Sequence, residues 1–252
     1  MWQTGFMSVT KRTKQMNFFV YVDTVVFTIN PDRSVEPRDR LEVLVMQRPE
    51  RPDKNQWALP GGLVGDTENL KDTSIRKVRE ETGIALDKGE LFQVGAFGDP
   101  ERDNRYRAIA IAYVALVPRP GATKALMNSD KAEFISFRKL ISKKMLEFDH
   151  AEIIKQARQT AENMLEDTPV ALLFCENKFT ISDLRGVYES FLQYKVDPAN
   201  FRRKVDAVQG FVLPLKEYSE TSSLPGRPAL MYKAGNLKTL PTPIRFRNTD
   251  AK

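Results

Sequence analysis

Residues Gly62 to Ile84 read G-L-V-G-D-T-E-N-L-K-D-T-S-I-R-K-V-R-E-E-T-G-I. Positions 77, 80 and 81 are spaced i, i+3 and i+4, so a helix through them gathers all three on one face. Carboxylates on such a face hold Mg²⁺ through oxygen ligands, together with water and substrate phosphates. The cation then neutralises diphosphate charge and activates water for attack. In this chain the face reads Lys77, Glu80, Glu81. A lysine ammonium offers no lone pair and carries the wrong sign to sit beside a divalent cation. Glu80 and Glu81, with Glu68 nearby in sequence, are the candidate ligands for a cation bound weakly at best. Lys77 is expected to pair with one of these carboxylates instead. Efficient hydrolysis is not expected, and no catalytic residue is assigned.

A run such as R-K-V-R-E-E can also be the solvated face of an amphipathic helix. That reading gives no reason for Gly62, for the preceding W-A-L-P-G (Trp57 to Gly61), or for Gly83 as a left-handed residue closing the helix. The segment resembles the Nudix box, G-x5-E-x7-R-E-U-x-E-E-x-G-U, with U a bulky aliphatic residue. Gly62, Glu68, Arg76, Val78, Glu80, Glu81, Gly83 and Ile84 fall where that pattern asks. Lys77 stands at its first helix glutamate. The resemblance implies a Nudix pocket that binds a diphosphate without cleaving it.

Around this box the remaining elements can be placed by periodicity. Phe18 to Ile29 and Leu41 to Gln47 read as strands, separated by a turn rich in Pro and Asp. A helix follows from about Leu70 to Thr82, then strand-like runs at Leu91 to Phe97, Ile109 to Val117 and Glu133 to Phe137. Mixed strands around such a helix suit an α/β sandwich, an α/β/α arrangement. A helix from about His150 to Leu165 carries an apolar stripe through Ile153, Ile154, Ala157, Ala161, Met164 and Leu165.

Asp167-Thr168-Pro169 marks a boundary. Beyond it lie a short apolar helix (Val170 to Phe174), a helix opened by the Thr180 to Asp183 capping box and running to about Leu192, and a third opened by Asp197-Pro198. Two strands, Phe211 to Tyr218 and Ala229 to Lys233, complete the order of a winged helix-turn-helix. The expected organisation is a basic arm over 1–17, a Nudix-like effector domain over 18–166, a winged helix over 167–235, and a loosely ordered tail over 236–252.

On the third helix Phe201, Val205 and Val208 must face the core, which turns Ala199, Asn200, Arg203, Asp206 and Ala207 outward, with Arg202 to one side. Arginine reads guanine and asparagine reads adenine in a major groove. Asn200, Arg202 and Arg203 are therefore candidate DNA contacts. Arg227 at the wing, and Lys11, Arg12 and Lys14 in the arm, are candidates for phosphate or minor-groove contact.

Phosphate-clamping candidates are Arg48, Arg51, Arg102, Arg105 and Arg107, with Gly61, Gly62, Glu80 and Glu81 from the box. Trp57 or Phe97 is a candidate for stacking on a base. The lone histidine, His150, reads as a capping or interface residue rather than a base. Cys175, the only cysteine, reads as a buried core residue. It excludes an intrachain disulfide and suits a reducing cytoplasm. No apolar run reaches the ~20 residues of a membrane span, and 1–17 lacks the apolar stretch of a signal peptide. The net charge of +6 permits a nucleic-acid partner without establishing one.

The pairing of domains resembles the NrtR family, Nudix-related transcriptional regulators of NAD metabolism. The resemblance is carried by F-G-D-P-E-R-D-N-R (Phe97 to Arg105), E-F-D-H-A-E-I-I (Glu147 to Ile154), N-F-R-R-K-V (Asn200 to Val205) and G-R-P-A-L-M-Y (Gly226 to Tyr232). It implies a homodimer on a palindromic operator near genes of NAD synthesis or salvage. It further implies repression relieved by ADP-ribose or a related nucleotide, with no cofactor required. Two other outcomes fit the residues: an active ADP-ribose pyrophosphatase with an accessory C-terminal domain, or a regulator tuned to another phosphorylated metabolite.

Overall fold

The computed structural model describes residues 18–47, 56–118, 132–219 and 228–247. Strand β1 (Phe19–Ile29) is the spine of a seven-stranded mixed sheet. It runs parallel to β6 (Ala108–Leu116) and antiparallel to β2 (Leu41–Gln47) and β4 (Gly61–Leu63). Strands β3 (Trp57–Ala58) and β7 (Ala132–Ser136) pair with β2, and β5 (Phe92–Phe97) pairs with β6. Alternation along β1 sends Val22 and Val26 to one face, against Val78 of helix α1 (Leu70–Thr82). Val25 and Phe27 go to the other face, against Ile153, Ile154 and Ala157 of a later helix. The result is the expected α/β/α sandwich.

Local chemistry explains the ends of α1. The Asn69 side chain accepts the Asp72 amide at the N-terminus, and Gly83 (φ 75°) closes the C-terminus. After β7 the chain forms α2 (Phe137–Ser142), which the strand reading of this region did not contain. The 18-residue helix α3 (His150–Asp167) follows and spans about 27 Å at 1.5 Å per residue.

The winged helix comprises a 3₁₀ segment (Pro169–Phe174), α4 (Ile181–Leu192), α5 (Pro198–Asp206), and the hairpin β8 (Val212–Tyr218) and β9 (Leu230–Ala234). Both expected caps are present. Thr180 and Asp183 form the reciprocal box, and Asp197 accepts the Asn200 amide at 2.7 Å. Phe201, Val205 and Val208 face inward at 0, 1 and 4% exposure.

The two units share one core. The apolar cluster around α3 continues without a break through Leu184, Tyr188, Phe191 and Phe201. Polar contacts reinforce the junction. The Ser190 hydroxyl donates to the Pro37 carbonyl (2.7 Å), and Gln193 Nε2 donates to the Arg38 carbonyl (2.9 Å). At the far end of α3 the Tyr188 hydroxyl donates to the Leu165 carbonyl at 2.9 Å.

One expectation is overturned. The chain after Gly235 is not loose through residue 247. The Leu240 and Ile244 amides donate to the Asp167 and Glu166 carbonyls, both at 2.9 Å, satisfying the orphan end of α3. Ile244 is buried, and Phe246 stacks on Phe201 with centroids 5.4 Å apart. Among the described residues no helix is long and apolar enough to cross a membrane.

Candidate functional site

A cleft of about 240 Å³ opens where β1, β2, β4, the C-terminal turn of α1, the 102–105 loop and the start of α3 converge. It is lined by Gly61, Gly62 and Glu81, by Tyr21, Asp23, Leu59 and His150, and by Arg102, Asp103, Arg105 and Phe148. Of the residues singled out in sequence, the cleft gathers Gly61, Gly62, Glu81, Arg102 and Arg105.

Three others lie elsewhere. Trp57 packs against the core, and its backbone bonds Met145 and Glu147. Phe97 also packs on the core cluster, and Arg107 Nη1 donates to the Asp99 carbonyl at 3.1 Å while covering Phe18. None of the three lines the cleft. Arg48, Arg51, Arg227, Lys11, Arg12 and Lys14 lie outside the described residues.

The acidic face of α1 is already balanced by cations. Arg76 grips Glu68 at two points, 2.6 Å each, and donates to Glu80 at 3.1 Å. That two-point bond holds the Glu68 carboxyl down to about 2. Lys77 Nζ stands 3.7 Å from Glu80 Oε2 and 3.9 Å from Glu81 Oε1, so it pairs with two carboxylates rather than the expected one. Burial raises the Glu81 carboxyl, opposed by the Gly61 amide, which donates to it at 3.0 Å, and by Lys77. Glu80 and Glu81 face an ammonium, and among the described residues no three His, Cys, Asp or Glu side chains are grouped to hold a metal. This donor set does not fit the Mg²⁺ that three open carboxylates would hold.

Arg102 is likewise committed. It donates to Asp149 at 2.9 and 2.8 Å and to Asp23 at 3.1 Å, with only 7% of its side chain exposed. Arg105 remains more open at 43%, bound to Asp103 at 2.9 and 2.7 Å and lying between the Tyr106 and Phe148 rings. Among the described residues it is the lining guanidinium more open to an anion.

The histidine plays a part that sequence reading missed. The Leu59 amide donates to His150 Nδ1 at 3.1 Å, which puts the ring proton on Nε2, 3.9 Å from Asp23 Oδ2. Burial lowers its basicity, so the imidazole is neutral. Phe148, also missed, is an exposed aromatic at the mouth and offers a stacking surface in place of Trp57 and Phe97. The available signal was polar residues interrupting an apolar strand (Tyr21, Asp23) and the F-D-H run at 148–150. Cys175 lies apart from this cleft, and burial pushes its thiol up to about 12.

On the second surface α5 leaves Arg202, Arg203, Asp206 and Ala207 exposed. Arg202 donates to Asp206 (2.9 Å) and to the Tyr232 hydroxyl (2.7 Å). Among the described residues Arg203 donates locally, to Asn200 at 2.8 Å.

This is a Nudix-type sandwich that shares its core with a winged helix. The NUDIX domain model matches residues 24–157, and the NrtR DNA-binding winged helix domain model matches 171–234. The chain belongs to the NUDIX family, in its NrtR group. It is 27% identical over 234 residues to the "ADPR responsive transcriptional repressor NtrR" of Acinetobacter baylyi, covering 92% of this chain and 88% of that protein. It resembles the crystal structure of Shewanella oneidensis NrtR complexed with a 27mer DNA, at TM-score 0.70 and 25% identity over 90% of this chain and 99% of that one. It is also 34% identical over 114 residues to an ADP-ribose pyrophosphatase of Methanocaldococcus jannaschii, covering 45% of this chain and 64% of that protein.

Proposed function

We propose that this protein is a DNA-binding transcriptional repressor of genes of NAD synthesis or salvage. Its cleft senses ADP-ribose or a closely related nucleotide. The observation that carries the reading is the single core joining that cleft to an exposed recognition helix. Helix α3 begins at the cleft with His150 and ends under the winged helix at Leu165 to Asp167. A ligand that shifts the first turn of α3 therefore moves the platform of α5. The protein acts as a homodimer on a palindromic operator. Half-sites one helical turn, ~34 Å, apart make binding sensitive to the separation of two recognition helices. The likeness to a repressor named for ADPR response supports the choice of ligand.

Operator binding followed by fluorescence anisotropy, with and without ADP-ribose, tests this reading. The expected outcome is tight binding to the palindrome and release on adding ADP-ribose. Unchanged binding at saturating ADP-ribose overturns the proposed signal, and indifference to every duplex overturns the repressor.

The stretch shared with an ADP-ribose pyrophosphatase favours a second reading, an enzyme with an accessory domain. Lys77 between Glu80 and Glu81 opposes it. Product release from ADP-ribose with Mg²⁺ present separates the two. The regulator reading expects turnover near background.

A further inference from the structure

We propose that the Lys77 ammonium fills the place of the divalent cation, so that the cleft takes a nucleoside diphosphate without metal. This rests on the reading that the cleft binds such a ligand.

Charge balance supplies the first argument. Replacing a glutamate by lysine changes the local charge by two units, the charge of one Mg²⁺. Lys77 therefore gives the face formed with Glu80 and Glu81 the same balance that a glutamate with a bound divalent cation would give.

Position supplies the second. A Cβ built on Gly62 would lie 2.7 Å from Lys77 Cε and 3.3 Å from Nζ. The lysine stem thus packs against Gly62, and Gly62 and Glu81 both line the cleft. A side chain at 62 would have to displace the lysine stem and its ammonium.

Unused bonding capacity supplies the third. Lys77 lies 3.7 and 3.9 Å from its carboxylates, beyond hydrogen-bond length. These contacts hold the ammonium by charge, and neither carboxylate takes up one of its three donors, which are suited to phosphate oxygens. Arg105 at the mouth supplies a second cation for the same ligand.

Two measurements test the proposal. The first titrates Mn²⁺ alone into the full chain and follows free Mn²⁺ by electron paramagnetic resonance. Lys77→Glu should bind Mn²⁺ roughly tenfold or more tightly than the wild type. The second titrates ADP-ribose by calorimetry in EDTA and in Mg²⁺. Wild-type affinity should agree within about twofold between the two buffers. Lys77→Met should weaken binding roughly 10- to 100-fold in both, and Lys77→Arg should retain metal-independent binding. Lys77→Glu should bind poorly in EDTA and recover with Mg²⁺.

Wild-type protein that binds Mn²⁺ as tightly as Lys77→Glu, or that needs Mg²⁺ to bind ADP-ribose, overturns this proposal alone. So does a Lys77→Met variant of unchanged affinity and intact circular dichroism. Failure of every form to bind ADP-ribose in either buffer removes the ligand reading, and this inference falls with it.

Discussion

The Arg102 guanidinium grips Asp149 at two points, Nε to Oδ2 at 2.9 Å and Nη2 to Oδ1 at 2.8 Å. Asp149 is the N-cap residue of α3, so this pair fixes the first turn of that helix to the 102–105 loop. The same guanidinium reaches Asp23 on β1 at 3.1 Å. An arginine expected to clamp a ligand instead ties three elements together in the lining of the cleft.

Arg102→Ala is therefore expected to damage the fold before it damages binding. Removal would strand Asp23 and Asp149, whose side chains are 10 and 21% exposed. Breaking a buried pair by deleting one partner costs about 3–5 kcal/mol. Arg102→Lys keeps the charge but loses the fork, and should recover only part of that loss. Urea denaturation measures both. An Arg102→Ala variant within about 1 kcal/mol of wild type would show the network to be incidental.

Stability should also fall with acid in two stages. His150 is held neutral by burial, so its folded pKa lies below the ordinary value near 6.5. As pH drops through that ordinary value the unfolded chain takes up a proton that the folded chain refuses. Stability present above pH ~6.5 is therefore lost as pH falls toward the folded value. His150→Asn keeps an acceptor for the Leu59 amide without titrating, and its profile should be flatter in this window. The second stage belongs to Glu68, whose folded pKa is about 2 against an ordinary 4.5. Its contribution is full above the ordinary value and lost as pH descends to about 2. Thermal melts from pH 8 to pH 3 trace both stages. A histidine-containing chain as flat as His150→Asn near pH 6 would contradict the first.

Local chemistry made α1, α4 and α5 legible, whereas α2 went unexpected. Gly83, the Thr180 box and Asp197-Pro198 announce helix ends without tertiary information, and all three behave as their residue types require. The cleft was only half legible. Its α1 side follows from spacing along one helix, whereas Tyr21, Phe148 and His150 arrive from segments distant in sequence. Strands β3 and β4 are two and three residues long, too short for periodicity, and exist only through their partners. The tail was misread because its prolines and polar residues describe a loop. The anchors Leu240, Ile244 and Phe246 follow neither a helical nor a strand period.

That anchoring leads to a direct test. Ile244 is 1% exposed in the shared core, and its amide caps α3. Ile244→Ala should cost about 2–5 kcal/mol, as for other large-to-small changes in a packed core. A chain ending before Leu240 should lose more, because the Glu166 and Asp167 carbonyls also lose their donors. A truncated protein with an unchanged denaturation midpoint would return this segment to the status of a loose tail.

The recognition helix offers a prediction in which neighbouring arginines behave differently. Arg202 is committed to Asp206 and to the Tyr232 hydroxyl, and it covers the Tyr232 ring at 5.6 Å. It braces α5 against the hairpin, so Arg202→Ala should lower affinity for operator and scrambled duplex alike. Arg203 is exposed and, among the described residues, is held by Asn200 within the same helix, leaving it available to a guanine edge. Arg203→Ala should cost the operator about 1–3 kcal/mol, roughly 5- to 150-fold, while binding to scrambled DNA changes little. Anisotropy titrations with both duplexes over a salt series supply the comparison. If Arg203→Ala leaves the ratio of operator to scrambled affinity intact while Arg202→Ala abolishes it, Arg202 is the base-reading residue and the bracing role assigned to it fails.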